Sequence, residues 1–223
     1  MPTVYNLHPD NPQTRTIEQI RDNLKQGAVM LYPTDTVYAI GCDLYSKEAI
    51  QRVRRIKQLA NDKPLTFLCS SLSNIAEYAE VSDPAYRIMR RLIPGPYTFL
   101  LPATKLVPKL VMNPKRKATG IRVPDHPFCL TLLQVLENPV ISTSAHMLEN
   151  NDSIDDNRAL DHTEVTRFEL FDCLENLVDV IVDTGVDPGF QVSTILDMTE
   201  QEPIIVRKGL GWEEAATWVV EAS

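Results

Sequence analysis

The 223-residue sequence is poor in glycine, with eight residues in all, and none of them falls in Gly-x-Gly-x-x-Gly or Gly-x-x-x-x-Gly-Lys-Ser/Thr. A glycine-rich phosphate cradle is therefore excluded. Any phosphate site has to use side-chain cations, hydroxyls and the backbone N–H groups of Ser/Thr loops. His-Glu-x-x-His and the Gly-x-Ser-x-Gly elbow are also missing. The four histidines, His8, His126, His146 and His162, lack ligand spacing, so neither a resident metal nor a tightly bound organic cofactor is expected. The four cysteines, Cys42, Cys69, Cys129 and Cys173, are widely spaced with no Cys-x-x-Cys pair. That pattern reads as reduced core thiols of a cytoplasmic protein, not as a disulfide framework or zinc site. No apolar run is long enough to span a bilayer. Met1–Asp10 lacks the basic start and apolar stretch of a secretory signal. A soluble cytoplasmic protein with no membrane partner is the expectation.

What the chain does have is an ordinary globular composition, 43% hydrophobic and 23% charged, which suffices for a core without staples. The net charge of −8 conceals an asymmetry. Lys47–Arg122 holds 15 Lys and Arg against 5 Asp and Glu, whereas the rest holds 7 against 25. A positive middle between negative ends points to a local anion site, with solvated helix faces as the plainer reading. An acidic total argues against indiscriminate coating of DNA.

Periodicity predicts strands over Thr3–Leu7, Ala28–Tyr32, Ala39–Leu44, Leu65–Cys69, Tyr97–Leu101, Gly120–Val123, Pro139–Ser144, Val178–Asp183, Thr194–Met198 and Ile204–Arg207. A first helix carries Ile17, Ile20 and Leu24, with Thr16 as cap and Gly27 as stop. A second, capped by Ser46, carries Ala49, Ile50, Val53 and Ile56, and sets Arg52, Arg55 and then Lys57 on the opposite face. Further helices are read over Ser71–Tyr78, Asp83–Leu92, His126–Leu136, Thr163–Asn176 and Trp212–Val220, and a polar, flexible excursion over Glu149–Asp161. The alternation is α/β, and its short strand-to-strand links require a mixed sheet. No repeat or linker divides the chain.

Six segments carry the chemistry. They are Tyr32-Pro33-Thr34-Asp35-Thr36-Val37-Tyr38-Ala39-Ile40-Gly41, Ile56-Lys57-Gln58-Leu59-Ala60-Asn61-Asp62-Lys63-Pro64-Leu65, Pro94-Gly95-Pro96-Tyr97-Thr98-Phe99, Ile121-Arg122-Val123-Pro124-Asp125-His126-Pro127, Ser142-Thr143-Ser144-Ala145-His146, and the pair Val192–Asp197 with Val206–Gly209. In this order and spacing, from about Thr16 to Gly209, the chain resembles the YrdC/Sua5/YciO family. Lys115-Arg116-Lys117 before Gly120-Ile121-Arg122 sides with the YciO branch.

The resemblance implies a single domain over 1–223, a twisted mixed parallel and antiparallel sheet flanked by helices, and a concave basic cleft. It also implies the family reaction, in which threonine, bicarbonate and ATP with Mg²⁺ give threonylcarbamoyl-AMP and pyrophosphate for tRNA modification. Such chemistry needs cations on the triphosphate and fixed donors for developing charge. By resemblance the nucleotide falls to Lys57, Ser144, His146, Ser193 and Arg207. The amino acid, through its carboxylate, falls to Thr34, Thr36, Lys63, Arg122 and Ser142. Plainer readings stand beside these. Lys57 and Lys63 could be solvated, Thr34 and Thr36 turn hydroxyls, Ser142 and Ser144 ordinary turn chemistry, and Arg207 a surface arginine. Arg122, inside an apolar strand, needs an anionic partner, which is either the ligand or an internal carboxylate.

Three departures from the synthases stand out. Leu59 replaces the arginine of Lys-x-Arg, His146 replaces the asparagine of Ser-x-Asn, and Ala118 stands where a hydroxyl is common. They imply weak adenylate formation or an altered substrate. The alternative is a non-catalytic protein that binds double-stranded RNA or tRNA phosphates through Arg52, Arg55, Lys115, Arg116 and Lys117. A purely partner-binding domain has no positive signal.

Overall fold

The computed structural model describes residues 1–59, 63–145, 166–187, 189, 191–200 and 202–221. Its strands are β1 (Thr3–Asn6), β2 (Met30–Tyr32), β3 (Ala39–Asp43), β4 (Thr66–Leu68), β5 (Tyr97–Pro102), β6 (Ala118–Arg122), β7 (Val140–Ser144), β8 (Val180–Asp183), β9 (Thr194–Asp197), β10 (Ile204–Arg207) and β11 (Val220–Glu221). They form one mixed sheet in the order β1-β8-β2-β3-β7-β4-β6-β5-β9-β10-β11. The helices are α1 (Thr14–Lys25), α2 (Lys47–Ile56), α3 (Leu72–Tyr78), α4 (Asp83–Leu92), α5 (Pro127–Leu136), α6 (Arg167–Leu174) and α7 (Trp212–Ala216). Among the described residues no helix is long and apolar enough to cross a membrane.

Helix starts follow the expected capping chemistry in most places. Ser46, Ser71, Ser82 and Thr166 each accept a backbone N–H of the first turn, and Thr166 with Glu169 closes a capping box. α1 is a correction. Its cap position is Gln13, without a side-chain bond, and Thr16 lies inside the helix. Gly27, at φ +90°, ends it as foreseen. At the other terminus the helix is shorter than the sequence suggests. It stops at Ala216, and Val220–Glu221 joins the sheet beside β10. The Glu149–Asp161 excursion and the first residues of the Thr163–Asn176 helix lie outside the described residues.

The two sheet faces are covered unequally. On one, α2, α3, α4, α6 and α7 bury Ile50, Val53, Ile75, Met89, Leu174 and Ala215 against Ile40, Phe67, Phe99, Ile121 and Ile141. On the other, α1 and α5 bury Ile17, Ile20, Leu24, Phe128, Leu132 and Leu136 against Met30, Tyr32, Leu68, Val140 and Val182. This second cover reaches only as far as β4 and β7. Beyond it, across β6, β5, β9 and β10, the face lies under no named helix and carries Gly120, Arg122, Thr98, Leu100, Ile195 and Asp197.

Candidate functional site

Strand pairing fixes that lining. Gly41, Ser142, Thr66, Gly120 and Leu100 stand side by side across β3, β7, β4, β6 and β5. Because side chains alternate, Ser144, Arg122 and Thr98 share their face. Thr98 pairs laterally with Ile195 of β9. Its hydroxyl lies 2.8 Å from the Ser193 hydroxyl. Arg207 of β10 donates to the Ser193 carbonyl at 2.8 and 3.1 Å and to its hydroxyl at 3.2 Å. Between Ser144 and Arg207, over six adjacent strands, this face carries a polar band that Leu100 and Ile195 interrupt. Gly120 leaves room for the Thr66 hydroxyl, since a Cβ there would stand 2.7 Å from it.

At one border of the band is a buried charge cluster. Arg122 is 6% exposed. It donates through Nη2 to Asp35 Oδ1 at 2.6 Å, through Nη1 to the Thr36 hydroxyl at 2.9 Å, and through Nε to the Gly95 carbonyl at 3.3 Å. The anion that a strand arginine requires is thus an internal carboxylate, 87 residues away in sequence. Thr34 has a turn role: its hydroxyl donates to the Val37 carbonyl at 2.6 Å and accepts the Thr36 N–H. Gly189 lies against the Thr36 carbonyl with no room for a side-chain carbon, so residue 189 closes over this loop. The structure adds two groups that sequence reasoning missed, Asp35 and His126. Asp35 Oδ2 and His126 Nδ1 are buried and have no hydrogen-bond partner among the described residues. Desolvation holds the His126 imidazole below its ordinary range, opposed by the Asp35 and Asp125 carboxylates and aided by Arg122.

Two lysines lie towards the other end of the strands. β3 and β4 run in the same direction, both antiparallel to β7. Lys57 closes α2 on its way back along β3, and Lys63 precedes β4, so both lie towards the end of the sheet where Ser144 finishes β7. The plainer, solvated reading of Lys57 does not hold: it is 8% exposed, and burial pushes its ammonium down from the ordinary 10.5 to about 8. Lys63 is half-buried, and its carbonyl accepts from Arg54 at 2.8 Å. Ser142 and Ser144 are half-buried, and His146 lies outside the described residues. Leu59, where the synthases carry arginine, packs against the core.

The basic residues suggested for RNA do not gather in one place. Arg52 is held by Asp179 at 2.7 and 3.0 Å beside the start of β8. Arg116 is held by Asp197 of β9 at 2.7 Å. β8 and β9 are seven places apart in the sheet, roughly 30 Å at the usual strand spacing. Arg55, Lys115 and Lys117 are exposed. Among the described residues, no group of three or more His, Cys, Asp and Glu is placed to hold a metal ion.

Residues 22–209 match the Sua5/YciO/YrdC family model, described as telomere recombination. The Escherichia coli protein named "Uncharacterized protein YciO" is 39% identical over 95% of this chain and 97% of its own length. Its crystal structure superposes with a TM-score of 0.84 over the same shares. A Vibrio vulnificus threonylcarbamoyl-AMP synthase is 34% identical over 59% of this chain and 72% of its own. The Pyrococcus abyssi Sua5 structure complexed with L-threonine, at 21% identity, shares the fold at a TM-score of 0.81, covering 98% of this chain and 62% of that one. The α/β architecture, the order of the six segments and these likenesses agree, and the chain belongs to the Sua5/YciO/YrdC family.

Proposed function

We propose that this protein binds ATP and a small amino acid, threonine being the first candidate, and forms an acyl adenylate from them with bicarbonate. Turnover is weak or directed to an altered substrate, and the product serves tRNA threonylcarbamoyladenosine formation or a reaction of the same class. The observation that carries this reading is the polar band. A carboxylate-sized anion has Arg122 and Thr36 at one border, and a polyphosphate has Ser144, Lys57 and Lys63 towards the other, with Ser193 and Arg207 at the far end. A buried ammonium with a depressed pKa gains most from an arriving phosphate, because the anion restores what desolvation removed. The magnesium would come with the nucleotide, as a substrate complex.

The weakness follows from Leu59. An apolar side chain packed into the core offers no charge to a triphosphate. The synthase titles belong to relatives that match over part of the chain, whereas the full-length likeness is to YciO. The test is pyrophosphate release from ATP and Mg²⁺ at high enzyme concentration, with and without threonine and bicarbonate. The expected outcome is slow release that depends on both. A rate equal to that of buffer, with threonine and with a panel of small amino acids, sinks the reading.

A further inference from the structure

Asp35 holds Arg122 through one oxygen only. Its Oδ1 takes the 2.6 Å ion pair, while its Oδ2 is buried without a hydrogen-bond partner among the described residues. A carboxylate whose side chain is 10% exposed normally satisfies both oxygens, because a buried unmet acceptor is costly. The same is true of His126 Nδ1, also buried and unmet. These two orphans are neighbours by construction. Asp35 is bonded to Arg122, four residues before His126, and two residues before Asp35 the Pro33 carbonyl accepts the Cys129 thiol at 3.4 Å in the first turn of α5, the helix that His126 caps. Asp35 and His126 also feel each other electrostatically. The groups around the imidazole are Asp35 from the loop after β2, Arg122 from β6 and Asp125 beside it, with Cys129 facing Asp35 from α5.

We propose that Asp35 is a displaceable counter-ion for Arg122 and that His126 is the positioning residue that receives it. With the site empty, Asp35 neutralises a guanidinium that could not stay buried alone. When the carboxylate of a ligand takes the Arg122 Nη2–H, two carboxylates cannot share one arginine without repulsion. Asp35 then turns to His126 Nδ1, which draws one proton from solvent and becomes imidazolium. Both orphaned atoms are satisfied in that state, and the charge of the cluster is balanced: two carboxylates face one guanidinium and one imidazolium. Ligand binding is thereby linked to proton uptake. Affinity for the carboxylate rises as pH falls through the bound-state pKa of His126 and levels off below its free-state value.

The inference rests on the assignment of a ligand carboxylate to Arg122. The full chain has four histidines, so the His126 imidazole can be followed by NMR through a pH titration, free and with L-threonine or acetate. The expected result is that a saturating carboxylate raises the His126 pKa by roughly one unit or more. In Asp35→Asn that shift disappears, while a melting curve reports whether the variant is folded. The wild-type titration decides the matter even if the variant is not. A shift with acetate but none with L-threonine sustains the latch and removes threonine as the substrate. Binding of L-threonine, seen in other resonances, with His126 unmoved overturns the latch and leaves the threonine reading standing. No shift with either carboxylate overturns it too.

Discussion

Lys57 shows how a single side chain couples stability to binding. Its pKa is about 8 when folded and near 10.5 when exposed, so below pH 8 the unfolded chain holds that proton more tightly than the folded one has reason to. Burying the charge costs about 2–3 kcal/mol there, and the cost fades as pH rises from about 8 towards 10.5. Lys57→Met keeps the stem and removes the charge. Its stability relative to the wild type should therefore fall between pH 7 and pH 9.5, while ATP affinity drops at least tenfold at pH 7. Calorimetry at the two pH values and a nucleotide titration check this. A stability difference that stays the same at the two pH values would mean that desolvation does not govern the ammonium. Lys57 also marks what a sequence withholds. Its place at the end of an amphipathic helix is legible, and so is the functional suspicion, but its burial depends on the chain that folds over it. Asp35 is a sharper case, for in Thr34-Asp35-Thr36 it reads as a turn former. Only the fold, which carries it across 87 residues to Arg122, makes it a buried counter-ion.

Secondary structure was the more readable level, since strands and helices are set by local periodicity and capping. Ser46, Ser71 and Thr194–Asp197 fall where pattern reading puts them. The failures are those in which tertiary pairing overrides the local signal. Val220 joins β10 instead of extending α7, and Gln13, a weak cap, starts α1 because Ile17, Ile20 and Leu24 must face the sheet. Lateral register is beyond sequence reading altogether, and it is register that makes the polar band. Gly120 of β6 sits between Thr66 of β4 and Thr98 of β5, both threonines restrained at χ1. Gly120→Ala would press its methyl within 2.7 Å of the Thr66 hydroxyl and 3.4 Å of the Thr98 methyl. We expect a loss of about 1–3 kcal/mol by denaturant unfolding, together with loss of nucleotide binding as the floor of the band is filled. Adding Thr66→Ala removes the obstructing oxygen. If the double variant is as unstable as the single one, the steric account is wrong and the glycine is needed for some other reason.

Part of the charge asymmetry along the sequence is folded up within the molecule. Arg52 meets Asp179, Arg116 meets Asp197 and Arg122 meets Asp35, so each of these cations from the middle third closes on a carboxylate from outside it. Part of the positive segment therefore serves the architecture. Whether the family's chemistry has been lost at a few positions or across the chain is a question about the whole molecule. The YciO likeness covers 95% of the chain at 39% identity, the synthase likeness 59% at 34%, so the two branches differ over long stretches as well as at motifs. Leu59 packs against the core, along which an arginine stem could lie before presenting its guanidinium. Leu59→Arg combined with His146→Asn should restore one charge-assisted phosphate contact and one amide donor. A single such contact is worth about 1.5–3 kcal/mol, which corresponds to roughly 10- to 100-fold in threonine-dependent pyrophosphate release if it acts in the transition state. A gain of that size locates the divergence at the two motifs. Equal rates for the wild type and a folded double variant place it in the remainder of the chain, and would turn the search from the phosphate end towards the identity of the carboxylate ligand.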